Sequence, residues 1–549
     1  MKIRVVGVIG LGTMGAGIAE VFARNGFSVV AVEADPGALA RGIAVLDASL
    51  GKSVTKGRLT EDERAEIIGR VTAGAKLADL SGADLVVEVV PEHLAIKRQV
   101  LAELDQICRP DTIIATNTSS LSVTAIAGGS AHPARVVGMH FFNPAPVMRL
   151  VEIVTTVLTD PAVTAAVTDL AGRLGKTPVR VTDRAGFVGN ALLLPYLNHA
   201  ARLLESGYAS REDIDLAATD GIGLPMGPLA LLDLIGLDTS LAILEVLQRE
   251  FAGTRYTPAP LLRRLIDAGR VGRKAGSGFY DYLDNRSPTS DSPNFAKVNP
   301  PRAPGTVTLI DLPVADETGA DGSGDRSAEL ASMLAAAGVN VTRNPAHPTD
   351  LAIVGIGPNG GVLAPAIAAG RAADAVGLHL ATRPPKSDKP KSDYRRTDYR
   401  SADYPSSEAG LAELAPSPLT SAAALDAARA LTAKLGLRTV VSADRPGLLV
   451  GALLYPHLRD AVAMVADGYA TPADVDAAMT LGCGYPRGPM RMLAEAGLAR
   501  VADVLAAMHA AYGDPAYSPP PLLIELARAG LSFDGLGQRE PAPHQTTRR

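Results

Sequence analysis

Residues 3–35 contain a strand, a glycine-rich turn, a helix and a second strand, in the order of a complete βαβ unit. The segment reads IRVVGVIGLGTMGAGIAEVFARNGFSVVAVEAD, and Gly10, Gly12 and Gly15 form the pattern GxGxxG directly after the first strand. In this arrangement, backbone N–H groups and the positive end of the helix dipole face an anion such as a pyrophosphate. The unit therefore predicts a mainly parallel sheet with a dinucleotide site at the start of its first helix.

The residue that ends the second strand indicates which dinucleotide binds. Glu33 stands 18 residues after Gly15, where a carboxylate accepts hydrogen bonds from the ribose hydroxyls of the adenosine. No arginine or lysine follows until Arg41, so a 2′-phosphate would meet an uncompensated negative charge. The sequence therefore favours NAD over NADP, with Thr13 of the glycine-rich turn also beside the cofactor.

A histidine and a glutamate on adjoining apolar runs form a candidate acid–base pair. His140 follows an apolar run that predicts a strand, so its ring is expected at the carboxyl edge of the sheet, where such sheets bind ligands. Glu152 lies on the next apolar run, LVEIV. A carboxylate on one ring nitrogen fixes the tautomer and stabilises the imidazolium, which leaves the other nitrogen free to take a proton. The pattern predicts His140 as the general base and Glu152 as its partner.

Polar residues follow two further predicted strands. Glu92 and Lys97 come after the buried run LVVEVV, and Asn117, Thr118 and Ser119 follow the run TIIAT. Because the carboxyl ends of parallel strands share one edge of a sheet, these side chains are expected in the same crevice as the histidine.

Charge and composition narrow the range of partners. The 549-residue chain has a formal net charge of −5 and no long basic run, which argues against nucleic acid. Its two cysteines, Cys108 and Cys483, form no CxxC pattern, so neither a disulfide framework nor a thiolate metal site is expected. A cytoplasmic location is expected instead. No stretch of about 18 apolar residues is free of charges, so no membrane anchor is expected.

A basic segment, GKSVTKGRLTED, stands out between two predicted helices. Lys52 and Lys56 in this segment are candidates for contacts with substrate phosphates. The alternative is a solvated helix end with no ligand.

Seven ordered motifs across positions 1–283 resemble the NAD-dependent 3-hydroxyacyl-CoA dehydrogenases, including the bacterial 3-hydroxybutyryl-CoA dehydrogenases. The motifs are VIGLGTMGAGIA, VVEVVPEHLAIK, TNTSSLS, GMHFFNPAPVMRLVE, DRAGFVGNALLLPYL, GLPMGPLALLDLIGLD and GRKAGSGFY. The resemblance implies that His140 is the catalytic base paired with Glu152, and that Ser119 and Asn190 hold the substrate. It also implies a set of residues that line the NAD site: Met14, Glu33, Glu92, Lys97, Ser119, Asn143 and Lys274.

Three positions depart from the pattern of this family. Many members have serine at Thr116, proline at Ala185 and arginine at Ala191. These departures change the expected packing around Asn190 without removing its amide.

The candidate residues fit one reaction class. Oxidation of a secondary alcohol needs a base for the proton and a hydride acceptor on the opposite side of the same carbon. Donors from Ser119 and Asn190 could polarise a thioester or ketone oxygen as charge shifts. We therefore expect reversible oxidation of (S)-3-hydroxyacyl-CoA to 3-ketoacyl-CoA on short acyl chains such as 3-hydroxybutyryl-CoA. Two alternatives remain: a different CoA-linked hydroxy acid such as 3-hydroxyadipyl-CoA, or a non-catalytic protein that binds NAD or acyl-CoA.

The chain repeats itself. Residues 174–269 align without gaps with residues 261 positions further on, so that Asp183 corresponds to Asp444. The predicted architecture is an α/β Rossmann-like domain and an all-α domain, followed by a degenerate copy of each. The predicted boundaries are a Rossmann-like NAD-binding domain at 1–184, a helical domain at 185–283, a linker at 284–303, a degenerate Rossmann-like segment at 304–410 with a low-complexity loop at 384–408, a second helical domain at 411–535 and a disordered tail at 536–549.

The second copy lacks several parts of a dehydrogenase site. His379 and Glu413 stand where the first copy has its candidate dyad, yet no glycine pattern follows Asp311, and Gly451 replaces Asn190. The sequence therefore predicts that this half has lost chemistry and keeps a structural role. Its helical domain is expected to pair with the first helical domain as an internal imitation of a dimer, in a monomer or a homodimer.

Overall fold

The computed structural model describes residues 2–251, 253–282, 303–310, 323–346, 349, 351–356, 361–381 and 410–533. The described residues fall into two compact units. The first is drawn from residues 1–191 and 464–488, and the second from residues 192–463 and 489–536. The predicted low-complexity loop, the tail and nearly all of the linker lie outside the described residues.

An eight-stranded sheet forms the centre of the first unit, in the order β3-β2-β1-β4-β5-β6-β7-β8. Neighbouring strands are parallel except β6 and β7, which are antiparallel. The strands are β1 Val5–Ile9, β2 Ser28–Val32, β3 Val71–Gly74, β4 Leu85–Glu88, β5 Ile113–Thr116, β6 Val136–Phe141, β7 Leu150–Thr155 and β8 Thr177–Thr182.

The central strands are mainly apolar because helices cover both faces of the sheet. Every residue of β4, β5 and β6 is buried. The helices of this α/β part are α1 Thr13–Arg24, α2 Pro36–Thr55, α3 Glu61–Gly69, α4 Leu94–Ile107, α5 Val123–Ala127 and α6 Pro161–Arg173. The Rossmann-like part predicted from the sequence is confirmed.

An all-α region follows, as predicted for residues 185–283. Its helices are α7 Gly189–Glu205, α8 Arg211–Leu216, α9 Pro228–Ile235, α10 Leu237–Phe251 and α11 Pro260–Asp267. Helix α8 begins after Ser210, whose hydroxyl accepts a hydrogen bond from the backbone N–H of Asp213. A π-helical turn at Ala217–Ile222 continues this helix.

The second unit contains a six-stranded sheet in the order β10-β9-β11-β12-β13-β14. It has two strands fewer than the first sheet, and its antiparallel pair, β12 and β13, again lies second and third from one edge. The strands are β9 Thr306–Ile310, β10 Asn340–Thr342, β11 Ala352–Gly355, β12 Ala375–Ala381, β13 Leu411–Pro416 and β14 Arg438–Val441. The helices of this α/β segment are α12 Ser323–Ala336, α13 Leu363–Ala368 and α14 Ala422–Lys434.

The predicted boundary between residues 410 and 411 is therefore wrong. Strands β13 and β14 belong to the second sheet, because their apolar residues pack in its core with Val376 and Leu378. The low-complexity segment before residue 411 interrupts the α/β domain and does not end it. The second all-α region consists of α15 Leu448–Ala466, α16 Pro472–Gly482, α17 Pro489–Ala496, α18 Leu498–Tyr512 and α19 Pro521–Ala529.

Helix α15 has the length and hydropathy of a membrane-crossing helix, and it is the single such helix within the described residues. However, 72% of its most apolar window is buried inside the protein. Burial of this kind is typical of a core helix.

Each sheet is covered in part by a helix from the other repeat. In the first unit, α16 packs on β7 and β8, and a Cβ atom at Gly482 would lie 2.5 Å from Leu150 Cδ2. In the second unit, α8 packs on β14, and a Cβ atom at Gly221 would lie 3.0 Å from Leu411 Cδ2. The repeat relates these two glycines and these two leucines, so the two interfaces have the same design.

Candidate active site

The glycine-rich turn closes tightly because no side chain intervenes. Gly10 has φ +88°, and a Cβ atom there would lie 2.7 Å from the Val89 carbonyl oxygen. At Gly15 a Cβ atom would lie only 1.8 Å from the Gly10 oxygen, so this position requires glycine. Gly12 faces open space, with nothing within 4 Å of an added Cβ atom. Its absent side chain leaves room for a ligand against the backbone.

A cavity of about 660 Å³ lies against this turn. Helix α1 begins here without a side-chain cap, so its first N–H groups are available to an anion. Glu33 Oε2 accepts a hydrogen bond from the Leu11 N–H at 3.1 Å, which holds the carboxylate over the turn. These features fit a dinucleotide. The cavity is lined by Ile9, Gly10, Leu11, Gly12, Thr13, Val32, Glu33, Ala34, Ala38, Arg41, Gly42, Val45, Ala75, Leu77, Val89, Val90, Pro91 and Val100.

The first prediction concerns cofactor choice. Arg41 also lines the cavity, but it is exposed and lies 3.5 Å from Asp35, whereas Glu33 stands where the ribose hydroxyls are expected. We expect kcat/KM for NADH to exceed that for NADPH by at least about tenfold, or roughly 1.4 kcal/mol. Glu33→Ser should reduce this ratio, and Asp35→Asn on the same loop serves as the matched control. Equal efficiencies with both cofactors in the unmodified enzyme would contradict the prediction.

The predicted dyad is formed. In the antiparallel pair β6–β7, His140 lies directly opposite Glu152, and His140 Nδ1 is 2.7 Å from Glu152 Oε2. The other carboxylate oxygen accepts hydrogen bonds from the N–H groups of Val188 and Gly189, both at 3.0 Å. Glu152 is fully buried, and His140 retains only 7% of its surface. The carboxylate is therefore fixed from both sides, and it orients the ring so that Nε2 can take a proton.

Two aromatic rings flank the histidine. The ring of Phe142 lies 4.5 Å from the imidazole and that of Phe187 lies 5.6 Å from it, centroid to centroid. Phe187 has φ +48°, an unusual backbone angle for a non-glycine residue that is often found at functional sites. The sequence analysis missed both residues. The signal was present for Phe187, because it follows a glycine between the end of a strand and a helix.

The Ser119 loop is anchored to Glu92. Glu92 Oε1 accepts hydrogen bonds from the Ser119 and Ser120 N–H groups, at 2.9 and 3.0 Å, and from the Thr118 hydroxyl at 2.6 Å. Burial acts to raise the pKa of Glu92, but the charge of Lys97 and these donors outweigh it, so the pKa lies below its usual value. Glu92 is thus a charged anchor that sets the position of Ser119.

Lys97 is buried beneath this loop, with 1% of its surface exposed. Its Nζ lies 2.9 and 3.1 Å from the two oxygens of Glu88 and 3.5 Å from Glu92. Thr116 donates a hydrogen bond to Glu88 at 2.7 Å, which a serine at this position could also do. The role of Glu88 was missed in the sequence, although a glutamate inside the apolar run VVEVV was a signal. Direct contact of Lys97 or Glu92 with the cofactor stays a prediction.

The structure brings Asn190 and Ser119 together. Asn190 Nδ2 donates a hydrogen bond to the Ser119 carbonyl oxygen at 3.3 Å, within the same unit as the dyad. Asn143 is exposed at the end of β6, and Met14 is half-buried at the start of α1. Their contacts with cofactor or substrate stay predictions.

Three lysines, Lys52, Lys56 and Lys274, are predicted from the sequence to contact the substrate or the cofactor. Lys52 and Lys56 are exposed at the carboxyl end of α2. Lys274 belongs to the second unit, where its Nζ lies 2.7 and 2.6 Å from the two oxygens of Asp238. The structure shows this ion pair, and a role for the three lysines in binding stays a prediction. Within the described residues, no cluster of histidine, cysteine or acidic side chains could hold a metal ion.

The second copy repeats the register of the dyad. His379 lies opposite Glu413 in the pair β12–β13, and Glu413 accepts hydrogen bonds from the Leu449 and Val450 N–H groups at 2.9 and 2.8 Å. However, His379 Nδ1 lies 3.1 Å from the Ile356 carbonyl oxygen. At Gly451 the space for a side chain is filled by the ring of Tyr455, 2.9 Å from an added Cβ atom. The position of Asn190 therefore has no counterpart that could hold a substrate.

The second prediction concerns stability against pH. Burial raises the pKa of Glu413 to about 7, from 4.5 for a free carboxyl. Because the folded protein holds this proton more tightly, the stabilisation is complete below about pH 4.5 and is lost as the pH rises through 7. Glu413→Gln keeps the two hydrogen bonds, so it should raise Tm at pH 9 by on the order of a few degrees and change it little at pH 5. Thermal unfolding at both pH values checks this, with the exposed Glu103→Gln as control. An equal change in Tm at both pH values would argue against it.

A dinucleotide cavity and a His–Glu pair on one sheet define a nicotinamide-dependent dehydrogenase of alcohols. The family model for the 3-hydroxyacyl-CoA dehydrogenase NAD-binding domain matches residues 5–184, and that for the C-terminal domain matches residues 186–282 and 447–537. The chain therefore belongs to the 3-hydroxyacyl-CoA dehydrogenase family, and it is an NAD-dependent oxidoreductase that acts on 3-hydroxyacyl-CoA. The resemblance inferred from the motifs is confirmed.

Relatives match either the first half or the whole chain. The 3-hydroxybutyryl-CoA dehydrogenase of Clostridioides difficile is 46% identical over 275 residues, which are 50% of this chain and 98% of that protein. The 3-hydroxyadipyl-CoA dehydrogenase of Escherichia coli K12 is 32% identical over 532 residues, 96% of this chain and 98% of that protein. A crystal structure of a 3-hydroxybutyryl-CoA dehydrogenase from E. coli K12 aligns with a TM-score of 0.75 at 30% identity, covering 96% of this chain and 99% of that one.

Proposed function

We propose that the enzyme interconverts short-chain (S)-3-hydroxyacyl-CoA and 3-ketoacyl-CoA, with 3-hydroxybutyryl-CoA as its main substrate. The observation that carries this proposal is the fixed His140–Glu152 pair, in the same unit as the glycine-rich cavity. The 46% identity of the first half to a 3-hydroxybutyryl-CoA dehydrogenase supports the acyl chain length. The described cysteines are both free thiols, which supports a cytoplasmic location.

In this mechanism the chain supplies the base, the charge compensation and the alignment. His140 Nε2 takes the proton of the 3-hydroxyl group. NAD, held at the glycine-rich turn beside Glu33, would supply the hydride acceptor. The positive charge that forms on the ring is compensated by Glu152, 2.7 Å away and already desolvated. The Asn190 amide and the Ser119 hydroxyl hold the substrate oxygen beside the ring. In the reverse direction, the imidazolium returns the proton to the 3-keto oxygen.

A second candidate substrate is 3-hydroxyadipyl-CoA. It is favoured by one observation, the match over 96% of the chain to a protein named for that activity, which shares the two-half organisation. A dicarboxylic acyl chain would need a cationic partner for its distal carboxylate, whereas the contacts described for the histidine are with the Glu152 carboxylate and the aromatic rings of Phe142 and Phe187.

The test is NADH oxidation with acetoacetyl-CoA, with longer 3-ketoacyl-CoA substrates and with 3-oxoadipyl-CoA. The proposal requires the highest kcat/KM with acetoacetyl-CoA. A clear preference for 3-oxoadipyl-CoA would establish the second candidate instead. No oxidation of NADH with any of these thioesters would refute both and would point to a binding protein.

A further inference from the structure

A second cavity, of about 240 Å³, lies within the second unit and is lined by residues of both repeats. It is separate in sequence from the dyad and from the glycine-rich turn. Its lining consists of His199, Arg202, Leu203, Ser206, Tyr208, Thr254 and Arg255 from the first repeat, and Arg445, Tyr512, Asp514, Ala516 and Tyr517 from the second.

Positive charge predominates in this lining. Three guanidinium groups face one carboxylate, Asp514, which is already engaged by the Thr254 hydroxyl and the Ala516 N–H. Arg255 forms an ion pair with Asp460, which is not part of the lining, and Arg202 donates only to the carbonyl oxygens of residues 254 and 257. Arg202 therefore has no carboxylate partner among the residues that line the cavity.

Two of these guanidinium groups are also incompletely hydrogen-bonded. Arg255 Nη2 and Arg202 Nε are buried and have no hydrogen-bond partner within the described part of the chain. The side chain of Arg255 is only 6% exposed. Buried donors on a charged group are costly when they stay unpaired, which favours a ligand that draws the two side chains towards it.

The internal repeat provides a matched comparison. Arg445 corresponds to Arg184, and Ser206 corresponds to Asp467. In the first unit, Arg184 Nη1 lies 3.4 Å from Asp467 Oδ2. Among the described residues, Arg445 has no carboxylate partner and lies over the ring of Tyr512 at 5.7 Å. Asp467 of the second repeat is thus a counter-ion for Arg184, whereas the corresponding residue of the first repeat, Ser206, offers Arg445 no negative charge.

The remaining polar groups add donors without adding negative charge. Burial and the charge of Arg255 lower the pKa of His199 to about 3, so the ring is neutral, and its Nε2 lies 3.0 Å from the Ala452 carbonyl oxygen. The rings of Tyr512 and Tyr517 lie 5.0 Å apart between centroids, and both residues line the cavity. Hydroxyl donors next to unpaired guanidinium groups are typical of sites for oxyanions.

We propose that this cavity binds a small oxyanion, a phosphate or a polycarboxylate, between Arg445 and Arg202 at the junction of the two repeats. The cavity is smaller than the roughly 300–1,000 Å³ of sites for drug-sized ligands, so a whole CoA or dinucleotide is too large for it. Because its lining comes from both repeats, a bound anion would tie them together and stabilise the fold.

The test is calorimetric titration of the full-length enzyme with inorganic phosphate and, separately, with citrate, at constant ionic strength. Saturating NAD is present to occupy the glycine-rich turn, which also binds phosphates. We expect one saturable site per chain with a Kd of about millimolar or below, and a rise of Tm with ligand concentration. The probe that binds more tightly identifies the class of anion.

Two variants and one control make the result specific to the cavity. Arg445→Gln removes the unpaired charge, and Ser206→Asp introduces the counter-ion found in the other repeat. Each should weaken binding by roughly tenfold or more, and Ser206→Asp should keep or raise the Tm of the ligand-free protein. Arg184→Gln, at the corresponding position of the first repeat, should leave the Kd unchanged. The inference fails if neither probe shows saturable binding, or if both variants bind as tightly as the unmodified enzyme.

Discussion

His140→Ala should lower kcat by on the order of 10²–10⁴ while NAD still binds with nearly unchanged affinity. The expected loss is large because, in the proposed mechanism, Nε2 of this ring takes the substrate proton. Its partner carboxylate is fixed by two backbone N–H groups. Steady-state kinetics with acetoacetyl-CoA measure the loss, and fluorescence titration with NADH measures cofactor binding.

Matched variants separate catalysis from folding. Glu152→Gln keeps the shape of the pair but no longer compensates the imidazolium, so it should also lose rate. His379→Ala, at the corresponding position of the second sheet, should retain kcat, and calorimetry should find one NAD per chain. An unimpaired His140→Ala enzyme would show that another group is the base. A large loss in His379→Ala would show that the second copy takes part in the reaction.

Lys97→Met should destabilise the protein by about 3–5 kcal/mol, because it leaves the carboxylate of Glu88 buried without its charge partner. Both side chains are almost completely inaccessible to solvent, so water cannot take over the role of the ammonium group. The loss is measured as the fall in the free energy of unfolding in urea, for the transition of the unit that contains the first sheet.

The double variant Glu88→Gln/Lys97→Met is the control. It removes both charges and should recover part of the lost stability, since the remaining groups are neutral and of similar size. Replacement of the exposed Lys52 by methionine should cost much less. If Lys97→Met unfolds at the same urea concentration as the unmodified enzyme, the buried ion pair is not important for stability.

The sequence was sufficient for those parts of the fold that depend on local pattern. The glycine turn and the alternation of strands and helices follow from residue types and spacing over a few positions. The pairing of His140 with Glu152 was also predictable, because two apolar runs joined by a short segment had to be adjacent strands. The turn and the His140–Glu152 contact each join residues close in sequence.

What could not be predicted depends on long-range packing. The burial of Lys97 follows from its placement under the Ser119 loop, and a helix pattern alone does not reveal what covers a lysine. The boundary after residue 410 was misplaced because the low-complexity segment resembles a linker, whereas the register of β13 with β12 continues across it. The packing of α16 on the first sheet joins residues about 300 positions apart, and no local signal marks it.

That packing has a consequence for how the two repeats tolerate substitution. In a symmetric homodimer every substitution is present on both sides of the two-fold axis, so a change that benefits one interface must be acceptable at its copy. Here Gly482 and Gly221 are separate positions in one chain. A side chain at Gly482 would press on Phe142, the ring beside His140, within 3.0 Å of an added Cβ atom. A side chain at Gly221 would instead meet Val450 of helix α15 and Leu411 of the second sheet. Fusion of the halves thus lets the two positions be constrained separately, the one beside the candidate active site by the Phe142 ring and the other by packing within the second unit.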